Sequence, residues 1–515
     1  MTTGILRARA LVACGLSVFA GMAVSRAQVA VTTWHYDNAR SGANPNETIL
    51  TPQNVSSQGF GQLFEQPVDG AVIGQALYLP GVTIPGAGVH NVVYAATMHD
   101  SVYAFDADSA TGSNAIPLWH TSFLVNGATS VPIALQGCGA TTKWTEVGIV
   151  STPVLDPASG TLYVVAKTYE NSAFVHRLHA LDVTTGLEKT GSPVVISANY
   201  PFSGKNYVFA DWMQVNRPAL LLENGNLYIA FGSNGCRGSR EEGWVLAYNA
   251  STLQPEGVFD DEPGDSAAAI WLRGGGLSAD SLGNIYGATG DGDFTPGTDL
   301  GQSVFKLSQV GSALQLADWF TPFNELVLDQ SDLDLSEPVL VLPNQKGKNA
   351  HLLATVGKEG TIYLLNRDNM GHFCDACTQK DTQIVQELQA FAPEPGALVY
   401  WNNAIYTAGA NSPIMALALT NGVLATTPFA ASKKIANGHS PVISANGTAA
   451  GVLWQIVGTT LVALDANTLV KLYGSTQAPN QRDALPTLPH FANLLVANGK
   501  VYVGTNTSLV AFGLL

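Results

Sequence analysis

Three stretches of this chain carry oxygen ligands of the kind a hard cation needs. They are the stretch that ends in Glu170, the turn Gly290-Asp-Gly-Asp-Phe-Thr-Pro-Gly-Thr-Asp299, and the acidic loop Leu328-Asp-Gln-Ser-Asp-Leu-Asp-Leu335. Calcium takes about six to eight such oxygens, so carboxylates from separate stretches would have to converge. Asp291, Asp293 and Asp299 lack the spacing of an EF-hand loop, and capping turns is the ordinary work of such residues. A second set is positional. Gln75, Thr152, Arg217, Glu337, His439 and His490 stand beside short apolar runs, most of them introduced by a proline. A ring of donors, acceptors and one cation suits a small polar ligand. Arg217, His439 and His490 would also serve acid–base cleavage of a polysaccharide. No Gly-X-Ser-X-Gly, His-Glu-X-X-His or phosphate-binding loop occurs.

What could bring such residues together is a repeat. An apolar strand ending in a polar turn recurs as Val102-Tyr-Ala-Phe-Asp106, Leu178-His-Ala-Leu-Asp182, Val245-Leu-Ala-Tyr-Asn249, Ile362-Tyr-Leu-Leu-Asn366 and Leu461-Val-Ala-Leu-Asp465. Weaker copies stand at Val304–Ser308, Ile414–Ala418 and Leu509–Phe512. Another strand precedes most copies, as in Asn91-Val-Val-Tyr-Ala95 and Asn226-Leu-Tyr-Ile-Ala230. A unit of this kind is apolar on both faces and must stack on its neighbours. The expectation is an all-β fold, an eight-bladed β-propeller of four-stranded antiparallel sheets, with seven blades as the alternative. The last unit stops after three strands, and Phe64-Glu-Gln-Pro-Val68 is expected to supply its fourth and close the ring.

A net charge of −15 over 515 residues argues against nucleic acid and anionic membrane surfaces as partners. Arg7 and Arg9, an apolar run from Ala10 to Val24 and Ser25-Arg-Ala27 read as a signal peptide over residues 1–27. Residues 28–515 then form a single domain, exported to a periplasm or beyond. It is expected to be monomeric, not inserted in a membrane, and to meet a small polar ligand or another exported protein. In an oxidising compartment Cys138, Cys236, Cys374 and Cys377 read as two disulfides, Cys138–Cys236 and Cys374–Cys377. Zinc through His372, Cys374 and Cys377 is the alternative, while Thr378 stands where a haem-ligating His would follow Cys377.

The Ala-Leu-Asp-like strand followed by Thr-Gly, and often by a Trp such as Trp119, resembles the repeat of the pyrroloquinoline quinone (PQQ) propellers. Residues 271–371 are more similar still to the quinoprotein alcohol dehydrogenases, through Asn284-Ile-Tyr-Gly-Ala-Thr-Gly-Asp291, Asp332-Leu-Asp-Leu-Ser336 and Gly357-Lys-Glu-Gly-Thr-Ile-Tyr-Leu-Leu-Asn-Arg367. The resemblance implies PQQ and calcium as cofactors and oxidation of an alcohol or sugar. It makes Asp334 the catalytic base, Lys358 the cation beside the quinone, and Asp291 with Glu170 or Asn171 calcium ligands. Two departures stand against that activity. The family's adjacent cysteines are replaced by Gly137-Cys138-Gly139, and Trp271 is the one tryptophan near the position that stacks on the quinone's other face. The favoured expectation is therefore a ligand- or protein-binding module whose quinone site is degenerate. A dehydrogenase is the alternative, and a polysaccharide lyase or hydrolase a more distant one.

Overall fold

A computed structural model describes Met1 and residues 28–136, 144–233, 242–263, 269–390, 395–435 and 440–515. Cys138, Cys236 and His439 lie outside the described residues, as does most of the segment read as a signal peptide.

Eight sheets of four or more strands follow one another along the chain, with two small hairpins beside them. Blade 1 spans residues 77–122, blade 2 154–195, blade 3 214–260 and blade 4 278–320. Blade 5 spans 340–389, blade 6 399–434, blade 7 442–474, and blade 8 494–514. The eight-bladed expectation holds, and every copy of the repeated phrase is the third strand of its blade. Phe60–Pro67 pairs antiparallel with Ser508–Leu514 as the fourth strand of blade 8.

The phrase recurs because each of its parts has a job. The strand is buried on both faces, as the unbroken burial of Ser101–Asp106 shows. Its terminal Asp or Asn accepts two backbone N–H groups of the following turn, at Asp106, Asp182, Asn249 and Asp465 alike. The tyrosine of the preceding strand then reaches the next blade's turn. Tyr94 donates to the Val183 carbonyl (3.1 Å), Tyr163 to Ala250 (2.8 Å), and Tyr502 of blade 8 to Ala107 of blade 1 (2.7 Å). Apolar cores lie between successive blades, and one of them joins Leu495 and Tyr502 of blade 8 to Tyr78 and Phe105 of blade 1.

The innermost strand of each blade is a sheet edge, and its N–H and C=O groups need partners. Residues 31–44 supply them in a single circuit. Val31 exchanges two hydrogen bonds with Tyr78 of blade 1, and Thr32 accepts from Leu155 of blade 2. Asn38 donates to Leu222 of blade 3 and accepts from Ala279 of blade 4. The carbonyls of Ala39, Ser41 and Gly42 accept from Val341, Tyr400 and Ile443 of blades 5, 6 and 7. Asn44 closes the tour on Val496 of blade 8 (3.1 Å). All eight blades meet this segment.

Trp34 packs with Ala219 of blade 3 and Ala397 at the entry to blade 6, so the segment plugs the channel. Arg40 anchors it, donating to the carbonyls of Trp34, Leu220 and Leu277. The tight course requires positive φ at His35, Tyr36, Arg40 and Gly42. A Cβ on Gly42 would stand 2.8 Å from Val399. Gln75 belongs to this plug, accepting from the His35 N–H and donating to the Thr33 carbonyl. Trp34→Ala should lower the unfolding free energy by about 3–5 kcal/mol in urea titrations, the cost of emptying a buried tryptophan site. A loss within ~0.5 kcal/mol, the level of an ordinary surface change, would mean the plug is not structural.

Candidate functional site

With the plug in place, a hollow of about 330 Å³ remains, lined by Arg217, Trp271, Arg273, Asp291, Asp332, Asp334, Ser336, Glu337, Lys358, His490 and Phe491. These residues come from loops of blades 3, 4, 5 and 8. Trp34 ties the plug to this site. A Cβ on Gly275 would meet its ring at 2.7 Å and Pro338 at 2.3 Å, so the walls carrying Arg273 and Glu337 close directly on the plug.

The acidic end is built from turns. Asp291 follows the short strand Ile285–Ala288, and Asp334 follows the helix Glu325–Gln330. Gln302, itself at positive φ, joins the two loops by donating to Asp291 (3.3 Å) and accepting from the Leu335 N–H (3.0 Å). Lys358 sits at the turn between Leu352–Val356 and Thr361–Asn366, fixed by its backbone N–H on the Asp334 carbonyl (2.9 Å). Its ammonium reaches Asp332 at 2.7 Å and Asp334 at 3.0 Å.

Carboxylate oxygens of Asp291, Asp332 and Asp334 all lie within 4.8 Å of one another. Two full negative charges that close repel by about 3 kcal/mol or more at an effective dielectric of ~20. One proton relieves it. Burial, and then the Asp334 carboxylate beside it, push Asp291 up to about 8. Burial opposes ionisation of Asp334 too, but Lys358 and hydrogen bonds outweigh it and hold that carboxyl below the usual range. Burial likewise works against the Lys358 charge, and the two aspartates more than restore it. Three acids share one resident cation, and a divalent or trivalent ion is the natural complement.

The other end is basic and aromatic. Leu272, Arg273 and Gly274 take successive positive φ values, which turns the Arg273 guanidinium onto the buried Glu337 at 2.9 Å. Arg217, held extended before Pro218, lies 3.6 Å over the Phe491 ring and 5.9 Å over the Trp271 ring. His490 leans on Phe491 with ring centres 3.7 Å apart.

Of the residues singled out in the sequence, Asp291, Asp334, Lys358, Arg217, Glu337 and His490 meet here. Thr152 does not; it is buried and accepts the Gln75 N–H (2.8 Å). Glu170 and Asn171 are corrected as well. They turn the hairpin between ten-residue strands, Thr161–Glu170 and Ala173–Asp182, and neither lines the hollow that holds Asp291. Glu170 pairs with Arg177 on the rim of a separate hollow, beside Phe123 and His179. Asp293 and Asp299 stay outside the site, the one just before and the other within a small hairpin, Phe294–Thr295 with Asp299–Leu300, beside blade 4. Cys374 and Cys377 form a disulfide, and His372 turns away to Asp318 (3.0 Å) and Trp319, so the zinc alternative falls. The structure adds Arg273 and Phe491, which no sequence motif marks, and it singles out Asp332 from the acidic loop, where the Asp-Leu-Asp spacing is the signal.

No protein-family model matches the chain, and no curated protein matches it. In fold it is similar to the quinohemoprotein alcohol dehydrogenase of Comamonas testosteroni, with a TM-score of 0.60 and 14% identity over 94% of this chain and 80% of that one. A quinohemoprotein alcohol dehydrogenase of Pseudomonas putida gives 0.59 and 14% over the same shares. A europium-containing methanol dehydrogenase gives 0.59 and 12%, over 94% of this chain and 98% of that one. The architecture is thus the propeller of the quinoprotein alcohol dehydrogenases.

The proton on Asp291 gives a pH test with a definite sign. An acid raised from 3.8 to about 8 on folding contributes stability that is complete below the lower value and lost as pH rises through the upper one. In chelator, the melting temperature of the wild type relative to Asp291→Asn should therefore fall between pH 5 and 8.5. Added calcium should stabilise the wild type more at pH 8.5 than at pH 6. Equal slopes in the two proteins would refute the shared proton.

Proposed function

We propose that this chain is a cation-dependent ligand-binding propeller. Asp291 and Asp334, with Asp332 at the rim, hold a hard cation such as calcium or a lanthanide, and the rest of the hollow receives a small polar ligand. The observation that carries this reading is the carboxylate trio within 4.8 Å, partly buried and ion-paired, among the described residues, with Lys358. Oxygen-only donors of this kind suit calcium or a lanthanide better than a thiol-seeking metal. A europium-containing protein among the fold neighbours supports the same choice.

The hollow as built does not fit a stacked quinone. The Arg217 guanidinium covers a face of both aromatic rings, Phe491 and Trp271, on which a planar cofactor would lie. A dehydrogenase remains the second reading, favoured by Asp334, Lys358 and Asp291 meeting in one hollow as the resemblance implied. In that reading Asp334, ionised and hydrogen-bonded to Lys358, accepts the hydroxyl proton of an alcohol.

Sensitised terbium luminescence tests the cation site, and PQQ uptake separates the two readings. Binding should be displaced by calcium and weakened at least ten-fold, about 1.4 kcal/mol, in Asp332→Asn/Asp334→Asn. PQQ added with calcium should leave no bound absorbance after gel filtration. Undiminished terbium binding in the double variant would refute the cation site, and retained PQQ would make the dehydrogenase the better reading.

A further inference from the structure

The hollow has two ends of opposite character, and only one is accounted for by a cation. At the far end Glu337 is engaged by Arg273. Arg217 is different. Its Nε and Nη2 are shielded from solvent and, among the described residues, have no hydrogen-bonding partner. The residue as a whole is only partly buried, because it also lines the hollow. A guanidinium is a fork of donors shaped for a carboxylate, and enclosing it without an acceptor is costly. Burial, and then the neighbouring Arg273, push Arg217 down to about 9 against the pull of Glu337, in keeping with an unmet demand for negative charge. The aromatic contacts with Phe491 and Trp271 hold the group in place without satisfying its N–H donors.

We propose that Arg217 is the seat of an organic carboxylate, and that the ligand of this hollow is a small hydroxy acid, an aldonate or uronate. Its carboxylate lies on Arg217 and its hydroxyls face the cation at Asp291 and Asp334. The inference deepens the cation-dependent reading and rests on it for the hydroxyl end alone. A neutral sugar or alcohol would leave Arg217 as it stands, and an inorganic phosphate or sulfate has no hydroxyl-bearing carbon chain to span to the acidic end.

Calorimetry on the calcium-loaded protein tests this with gluconate against sorbitol and galacturonate against galactose. Each acid should bind at least ten-fold more tightly than its neutral counterpart. Arg217→Gln should erase that preference, and Arg217→Lys should keep part of it. Circular dichroism melts should show both variants folded, since the substitution takes no hydrogen bond from Nε or Nη2. Equal binding of acids and neutral sugars, or an undiminished preference in Arg217→Gln, would overturn the inference. Uptake of PQQ, a tricarboxylate, that depends on Arg217 while hydroxy acids fail to bind would also overturn it, assigning the carboxylate to a cofactor. Terbium luminescence distinguishes the failures. Terbium bound without any preference for acids sinks this inference alone. A preference for acids without terbium sinks the cation reading and leaves the Arg217 seat standing.

Discussion

Eight inner strands face a common axis, and each exposes an edge of backbone donors and acceptors. The structure depends on how those edges are satisfied. Here the answer is a segment of fourteen residues, 31–44, whose main chain and asparagine side chains bond to every blade in turn and which drives Trp34 and Arg40 into the centre. Successive blades are already joined by apolar cores and by tyrosine hydrogen bonds, so the plug is not needed to define a blade. What it adds is a shared reference. A displaced blade would break its own bond to a segment held by the other seven.

That constraint shapes the chemistry. With its axis filled around Trp34, the channel is left with a hollow whose walls arrive from four blades. Those walls bring three carboxylates close enough that one must keep its proton or share a cation. They also bring an arginine into contact with aromatic rings instead of an acid. Neither arrangement favours the folded state by itself. Electrostatic frustration of this kind marks places where ligand binding supplies the missing partner.

The repeat was legible because each position has a local physical job: buried strand, Asx-capped turn, inter-blade tyrosine. Hence the third strands fall where Val102–Asp106 and its copies stand. The meeting of Asp291, Asp334 and Lys358 was legible through family resemblance, since blade-to-blade spacing is carried by the repeats. Glu170 was misplaced because strand length, set by cross-strand pairing over Thr161–Asp182, decides how far a hairpin extends, and the residue's type says nothing of it. The plug was invisible for a different reason. Residues 31–44 form almost no regular structure, and their bonds are to partners up to 460 residues away, so neither periodicity nor motif announces them. The pairing of Arg217 with Phe491 likewise joins blade 3 to blade 8 across the hollow.

On the proposed reading, this plugged propeller gathers acids from distant turns around one cation. The most direct measurement is anomalous diffraction from a crystal of the full chain soaked in terbium. A single strong peak in coordination contact with Asp291 and Asp334 is the predicted result. Peaks confined to the outer rim, with Asp334 still paired to Lys358 and Asp291 still holding its proton, would contradict it.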